Sequence, residues 1–267
     1  MISIRLAGGL GNQIFMLGAA LLLAEKNNAK KIICDISYLG KYETKRKNEL
    51  LNFFDFQKLN LEVEFRKSII TKYRIPRMFP LRLSRFPFVS DKNFQTVLKK
   101  TNKKFLLVDG YFQNCLSQTD LNVEIEILKN IFIKKDFENI NSCVVHIRGG
   151  DFIKLGINDV APKSYYYKAM QFMMKNHNID EFNIVTDDKE YAAGIMEDLN
   201  VKYNFVGGTM YEDFYLIGKF NYRILSSSTF SFWASALSNN EQSVVIGPEF
   251  WIPNDRRDIK LPNEIKI

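Results

Sequence analysis

The stretch Val144-Val145-His146-Ile147-Arg148-Gly149-Gly150-Asp151 ends an apolar run with a guanidinium, two glycines and a carboxylate. In an open parallel sheet, ligands sit beyond the carboxyl ends of strands, where glycines let backbone N–H groups approach a phosphate. Arg148 suits a phosphate clamp: it is always charged, planar and able to make two hydrogen bonds at once. Strand alternation points His146 to the same side as Arg148, so it is either a chemical participant or a satisfied structural residue. Asp151 could accept a proton, but beside Arg148 its pKa should fall, which favours an ion-pair role unless bound substrate dries the site.

Three further clusters offer related chemistry. Gly9-x-Gly11-x-x-Ile14, with Asp35 ending the next strand, nearly spells a dinucleotide fingerprint. The last glycine is missing, and a branched Ile14 would hold helix and strand apart, which weakens the case for a nicotinamide or flavin cofactor. What the turn offers is a helix N-terminus with the amides of Asn12 and Gln13, a neutral site for a phosphate or a sugar hydroxyl. Ser226, Ser227, Ser228 and Thr229 precede Phe230 at another strand end, as a helix N-cap or as a diphosphate cradle. Three such strand ends together favour the cradle. Asp187-Asp188 could take the amine edge of a nucleobase or a ribose hydroxyl, or simply cap a helix. No DxD pair stands at these strand ends, so neither a metal nor a cofactor is expected.

The elements that must position these residues read as βαβ units. Ile2–Leu6 alternates as a strand, 7–12 is a turn, Gln13–Lys26 a buried helix and Lys31–Asp35 a second strand. The middle is less regular, with a strand in Lys104–Gln113, ending on the Gly110 turn, and a helix over Leu121–Phe132. A polar segment, 134–141, precedes a fresh start. Strands at Cys143–Ile147, Phe182–Thr186, Lys202–Val206, Tyr222–Ser226 and Ser243–Ile246 then alternate with helices at Ser164–Lys175, Lys189–Leu199, Met210–Lys219 and Phe230–Leu237. That is the pattern of a parallel sheet covered on both faces. With 267 residues, two domains are expected, 1–140 and 141–267.

Composition is ordinary for a globular protein, with 46% hydrophobic and 25% charged residues. Cys34, Cys115 and Cys143 form no CxxC pair, which points to a reducing compartment. The apolar run Ile14–Ala24 follows a glycine turn and is too short to span a bilayer, so a cytoplasmic protein is expected. Residues 66–104 carry twelve Lys or Arg against the single acid Asp91, in a chain whose net charge is only +7. The remainder is therefore acidic. Aromatics and prolines interleave this basic segment, which suits peripheral contact with an anionic membrane; a solvated face is the plainer alternative. No nucleic-acid partner is expected.

Gly8-Gly9-Leu10-Gly11-Asn12-Gln13-Ile14-Phe15, Gly110-Tyr111-Phe112-Gln113, His146 to Phe152, Thr186-Asp187-Asp188, and Asp213-Phe214-Tyr215-Leu216 with Ser228 to Trp233 follow one another over almost the whole chain. In this order they resemble bacterial α-1,2-fucosyltransferases, glycosyltransferase family 11. The resemblance implies a GT-B-like α/β fold, two Rossmann-like domains with parallel sheets facing across a cleft. It implies GDP-fucose on the second domain, an acceptor on the first, and inversion without a metal. By it, Arg148 binds the β-phosphate, with Ser227, Ser228 and Thr229 adding contacts. Asp187, Asp188 and Phe230 lie toward the guanosine, and Gly11, Asn12 and Gln13 form the turn from which Asn12 reaches the donor. His146 and Asp151 join Arg148 and Asn12 as candidates for the chemistry. One departure stands out: the family usually reads His-x-Arg-Arg-Gly-Asp, and here Gly149 replaces the second arginine.

The expected activity is transfer of L-fucose to the 2-hydroxyl of a galactose-type acceptor. A galactoside or a lipid-linked oligosaccharide of surface-glycan synthesis would serve, reached from the inner membrane through 66–104. The rival readings are an NAD-dependent oxidoreductase and a non-catalytic sugar-nucleotide or polyanion-binding protein.

Overall fold

A computed structural model describes residues 1–41, 46–67, 88–100, 103–135, 138–154, 156, 161–197, 199–238 and 242–267. The chain divides into two compact units, Met1–Lys134 and Lys135–Ile267, a division six residues before the one placed from sequence. Residues 68–87, which hold much of the basic segment, lie outside the described residues, as does the side chain of Asp151.

The first unit contains β1 (Ile2–Arg5), α1 (Leu10–Lys26), β2 (Lys31–Asp35), α2 (Leu50–Phe53), β3 (Glu62–Arg66), β4 (Phe88–Val89), α3 (Phe94–Lys99), β5 (Leu106–Val108) and α4 (Gln118–Ile131). Its strands are all parallel in the order β3-β2-β1-β5-β4. Because β1 is flanked by β2 and β5, with Ile4 opposite both Cys34 and Val108, the turns leaving β1 and β5 emerge side by side. There the chain changes direction across the sheet, which is where open α/β sheets hold ligands. Helix α1 is buried nearly all round, as its unbroken apolar sequence demands. It begins at Leu10, three residues before the sequence reading, so Gly11, Asn12 and Gln13 form its first turn.

The second unit contains β6 (Ile140–Ile147), α5 (Asp151–Lys154), α6 (Lys163–His177), β7 (Glu181–Thr186), α7 (Lys189–Met196), β8 (Lys202–Phe205), α8 (Met210–Lys219), β9 (Phe220–Ile224), α9 (Thr229–Ala236), β10 (Val244–Gly247), β11 (Phe250–Ile252), β12 (Asp255–Arg256) and β13 (Glu264–Lys266). The sheet is parallel in the order β13-β10-β9-β6-β7-β8, with β11 and β12 forming a separate antiparallel hairpin. From β6 the chain steps outward to β7 and β8, then returns to β9 on the other side. Read from β8, that is the 3-2-1-4-5-6 order of a dinucleotide-type sheet, with its switch point between β6 and β9. Cys143, Val145 and Ile147 of β6 face α6 and α7 in one apolar cluster with Phe182 and Ile184. His146 consequently points to the opposite face, toward α9.

Candidate active site

At the carboxyl end of β6 the chain turns through Arg148, Gly149 and Gly150 into α5. The guanidinium of Arg148 is ion-paired through Nη1 to Oδ2 of Asp187 at 2.8 Å and lies 5.3 Å from the ring centre of Phe152. Asp187 also accepts the Gly149 N–H at 2.9 Å. Its neighbour Asp188 caps α7, accepting the Tyr191 N–H at 3.0 Å, and takes the Gly150 N–H at 3.4 Å. The two acids at the end of β7 thus brace the loop at the end of β6. Gly149 has no room for a side chain: a Cβ there would stand 2.6 Å from Cβ of Asp188. The arginine missing from the motif is replaced by a close approach of backbone to the Asp187-Asp188 turn.

Across the switch point, His146 is buried and its Nδ1 stands 2.8 Å from Oγ of Ser226. That hydroxyl also accepts the Ser228 N–H at 3.3 Å. Burial, reinforced by the charge of Arg148, pulls the imidazole pKa down to about 3, so His146 is neutral near pH 7 and too weak a base to take a proton there. It ties β6 to the Ser226–Ser228 loop. Ser228 caps α9 by accepting the Phe230 N–H at 3.2 Å. Ser227 and Ser228 are buried, while Thr229 and Phe230 are half-exposed. The Phe230 ring packs 5.3 Å from Phe214 and 5.9 Å from His146. Arg148 and the serine loop therefore leave the two central strands of the sheet side by side.

In the first unit, Asn12 sits in the opening turn of α1 and accepts a hydrogen bond from Nε2 of Gln113 at 2.8 Å. Gln13 is fully buried. Its Nε2 donates to the Gly8 and Lys47 carbonyls at 3.0 and 2.9 Å, and its Oε1 accepts the Glu49 N–H at 3.2 Å. Its side-chain amide braces the glycine turn against 47–49. Gly11 is buried within α1.

The sequence matches the profile described as Glycosyl transferase family 11 over residues 1–265. The chain belongs to that family. It is 26% identical to the O-antigen biosynthesis glycosyltransferase WbnK of Escherichia coli, covering 94% of this chain and 95% of WbnK. It is 27% identical to an α-1,2-colitosyltransferase of Escherichia coli, covering 94% and 92% of the two chains. In fold it is similar to NodZ, an α-1,6-fucosyltransferase soaked with GDP-fucose, with a TM-score of 0.53, 13% identity and coverage of 88% and 92%. The fold class is GT-B-like, built from parallel-sheet α/β units, and the protein is a glycosyltransferase. Family membership sets aside the oxidoreductase and the non-catalytic binding protein.

Within this family 11 enzyme the structure adds relationships that the sequence did not show. Ser226, read there only as part of the N-cap or cradle, faces His146 through the strand pairing. Asp213 of α8 accepts the Gly208 N–H at 2.9 Å beside Asp187. Burial, then the charges of Glu212 and Asp187, raises its pKa despite that bond. No group of three or more metal-ligating side chains stands together among the described residues, and no described helix is long and apolar enough to cross a membrane.

Proposed function

We propose that this enzyme transfers L-fucose from GDP-fucose to the 2-hydroxyl of a galactose-type acceptor, with inversion at the sugar and without a metal. The observation that carries this reading is the pairing of Arg148 with the Ser226–Thr229 helix start on adjacent strand ends. As GDP departs, negative charge builds on the β-phosphate and positive charge on the sugar. A guanidinium held in place by Asp187 stabilises the first without reorganising, as a bound cation does in other transferases. Amides and hydroxyls at the start of α9 supply further donors to the diphosphate.

The second unit is the donor side and the first the acceptor side. The Phe230 ring and the Asp187-Asp188 turn lie toward the guanosine. Asp151, three residues after Arg148, is the candidate base for the acceptor hydroxyl. The α-1,2 linkage in one relative's name and the O-antigen role in another's favour a surface-glycan precursor as acceptor. That acceptor fits an enzyme held against an anionic membrane by 66–104. Colitose, named for that same relative, is the second reading for the transferred sugar. The test is product analysis by NMR after incubation with GDP-fucose and a panel of galactosides. An α-1,2-fucosylated galactoside is expected; no fucosyl transfer, or another linkage, overturns the reading.

A further inference from the structure

The antiparallel hairpin of β11 and β12 stands just past the carboxyl end of β10, and its strand alternation fixes what it shows to solvent. Trp251 is buried, with its ring 5.4 Å from that of Phe232 in α9, so its neighbours Phe250 and Ile252 point outward, at 36% and 42% exposure. The root of the hairpin is tied by the Arg257 N–H, which donates to the Glu249 carbonyl at 2.8 Å. Its tip is the Pro253-Asn254 turn, in which Asn254 takes a left-handed φ of 64° that asparagine tolerates.

The start of α6 supplies a second wall. Tyr165 is buried there, and its hydroxyl donates to the Leu225 carbonyl at 2.5 Å, just past β9, which seats the helix on the strand ends. Ser164 and Lys168, four residues apart and so on one face of the helix, stay exposed. Helix and hairpin enclose a cavity of about 450 Å³, lined by these residues together with Glu249, Phe250, Pro253 and Asn254. Among the described residues, no hydrogen bond or ion pair engages the side chain of Ser164, Lys168, Glu249 or Asn254, and no ring or cation packs on Phe250.

A cavity of this size is in the range that holds small ligands. Its uncommitted groups offer both kinds of hydrogen bonding: Glu249 accepts, Lys168 donates, and Asn254 and Ser164 do both. A phosphate would meet the Glu249 carboxylate as a like charge, and an apolar ligand would bury Glu249 and Lys168 without partners. A neutral pyranose suits both, because its hydroxyls donate and accept while its C–H face packs on an exposed aromatic ring. We propose that this cavity is a carbohydrate subsite of the second unit, holding one sugar of an oligosaccharide with its C–H face on Phe250 and its hydroxyls on Glu249, Asn254 and Lys168. It rests on the protein's being a glycosyltransferase, whatever the donor, and lies wholly within one unit.

Titration of the 15N-labelled full chain with the neutral tetrasaccharide lacto-N-tetraose, followed by NMR, tests it. The amide signals of Ser164, Phe250 and Asn254 should shift saturably, and inorganic phosphate at the same concentrations should leave them in place. Glu249→Ala and Phe250→Ala should each raise the Kd for the tetrasaccharide about tenfold. Both side chains reach the surface, so each variant should keep the wild-type unfolding midpoint. No saturable shift of the three signals, an unchanged Kd in both variants, or a response to phosphate equal to that to the sugar would overturn the proposal. A wild type with no transfer from GDP-fucose would refute the proposed function, while the titration would still decide the subsite.

Discussion

Arg148 and Asp187 form a 2.8 Å ion pair across the carboxyl ends of two neighbouring parallel strands, and Asp187 is itself fixed by the N–H of Gly149. Arg148, the proposed phosphate clamp, is thus oriented by an acid 39 positions later in the chain. Both side chains are only partly covered, at 22% and 33% exposure, so the pair contributes modestly to stability. Its value lies in orientation. Asp187→Asn is expected to lower kcat about tenfold because the guanidinium is no longer held. GDP should bind as tightly or more tightly, since an anion beside the phosphate site is gone. Calorimetry with GDP, run beside steady-state kinetics, checks both halves; a large loss of GDP affinity would contradict the positioning role.

Restoring the missing arginine should harm the enzyme. A Cβ at 149 would stand 2.6 Å from Cβ of Asp188 and 3.1 Å from Tyr191, and overpacking of this kind costs about 1–3 kcal/mol. Gly149→Ala and Gly149→Arg should both lower the unfolding midpoint by several degrees and weaken GDP binding. Tighter GDP binding by Gly149→Arg at unchanged stability would contradict this account of the loop.

Much of this was legible in the sequence, and the reasons differ by region. In the second half, apolar runs of four to six residues separated by helices exposed β6 to β10 to within a few positions, because buried parallel strands are apolar on both faces. Strands β3, β4, β11, β12 and β13 escaped notice. β4 spans two residues and β13 three, too short for any periodicity, while Glu62 to Arg66 alternates charge with apolar side chains at a sheet edge. At the site, Arg148 and the serine loop could be found from strand-end composition alone. The pairings His146–Ser226 and Gln113–Asn12 could not, since each joins residues 80 and 101 positions apart through the strand order. Nor could the partners of Gln13 be read, since one helical position past Asn12 turns its side chain into the interior.

Glu124 of α4 supplies a test of the first unit. It is fully buried against Gly18 of α1, neither carboxylate oxygen has a hydrogen-bond partner among the described residues, and burial, followed by the charge of Asp120, raises its pKa well above the usual value. The folded state therefore keeps a proton that the unfolded chain releases above about pH 4.3. Stability from this group is complete below that pH and is lost as pH rises toward the folded pKa, at up to about 1.4 kcal/mol per pH unit. Glu124→Gln should unfold at higher urea concentration than wild type at pH 8, with the gap narrowing toward pH 5. A gap that does not change with pH would show that Glu124 is ionised in the folded protein.

His146 gives the opposite sign. Its folded pKa of about 3 lies below the unfolded value of about 6.5, so the folded state binds fewer protons between those limits. The neutral imidazole contributes stability that is whole above about pH 6.5 and is lost as pH falls toward 3. His146→Gln, which keeps a side chain able to bond Ser226, should lose less stability than wild type between pH 6.5 and 4.5 in urea titrations. The same variant should leave the pH dependence of kcat near neutrality unshifted; a vanished limb near pH 6.5 would make His146 a proton carrier after all.

The central claim is that a guanidinium, and no metal, bears the charge of the departing diphosphate. Transfer from GDP-fucose to a galactoside should therefore proceed in excess EDTA at the rate seen without it. Arg148→Ala should lower kcat/KM at least a hundredfold, with Arg148→Lys only partly restored because it lacks the planar fork. An Arg148→Ala enzyme within a few-fold of wild type, or activity abolished by EDTA and recovered with Mg²⁺, would contradict the account.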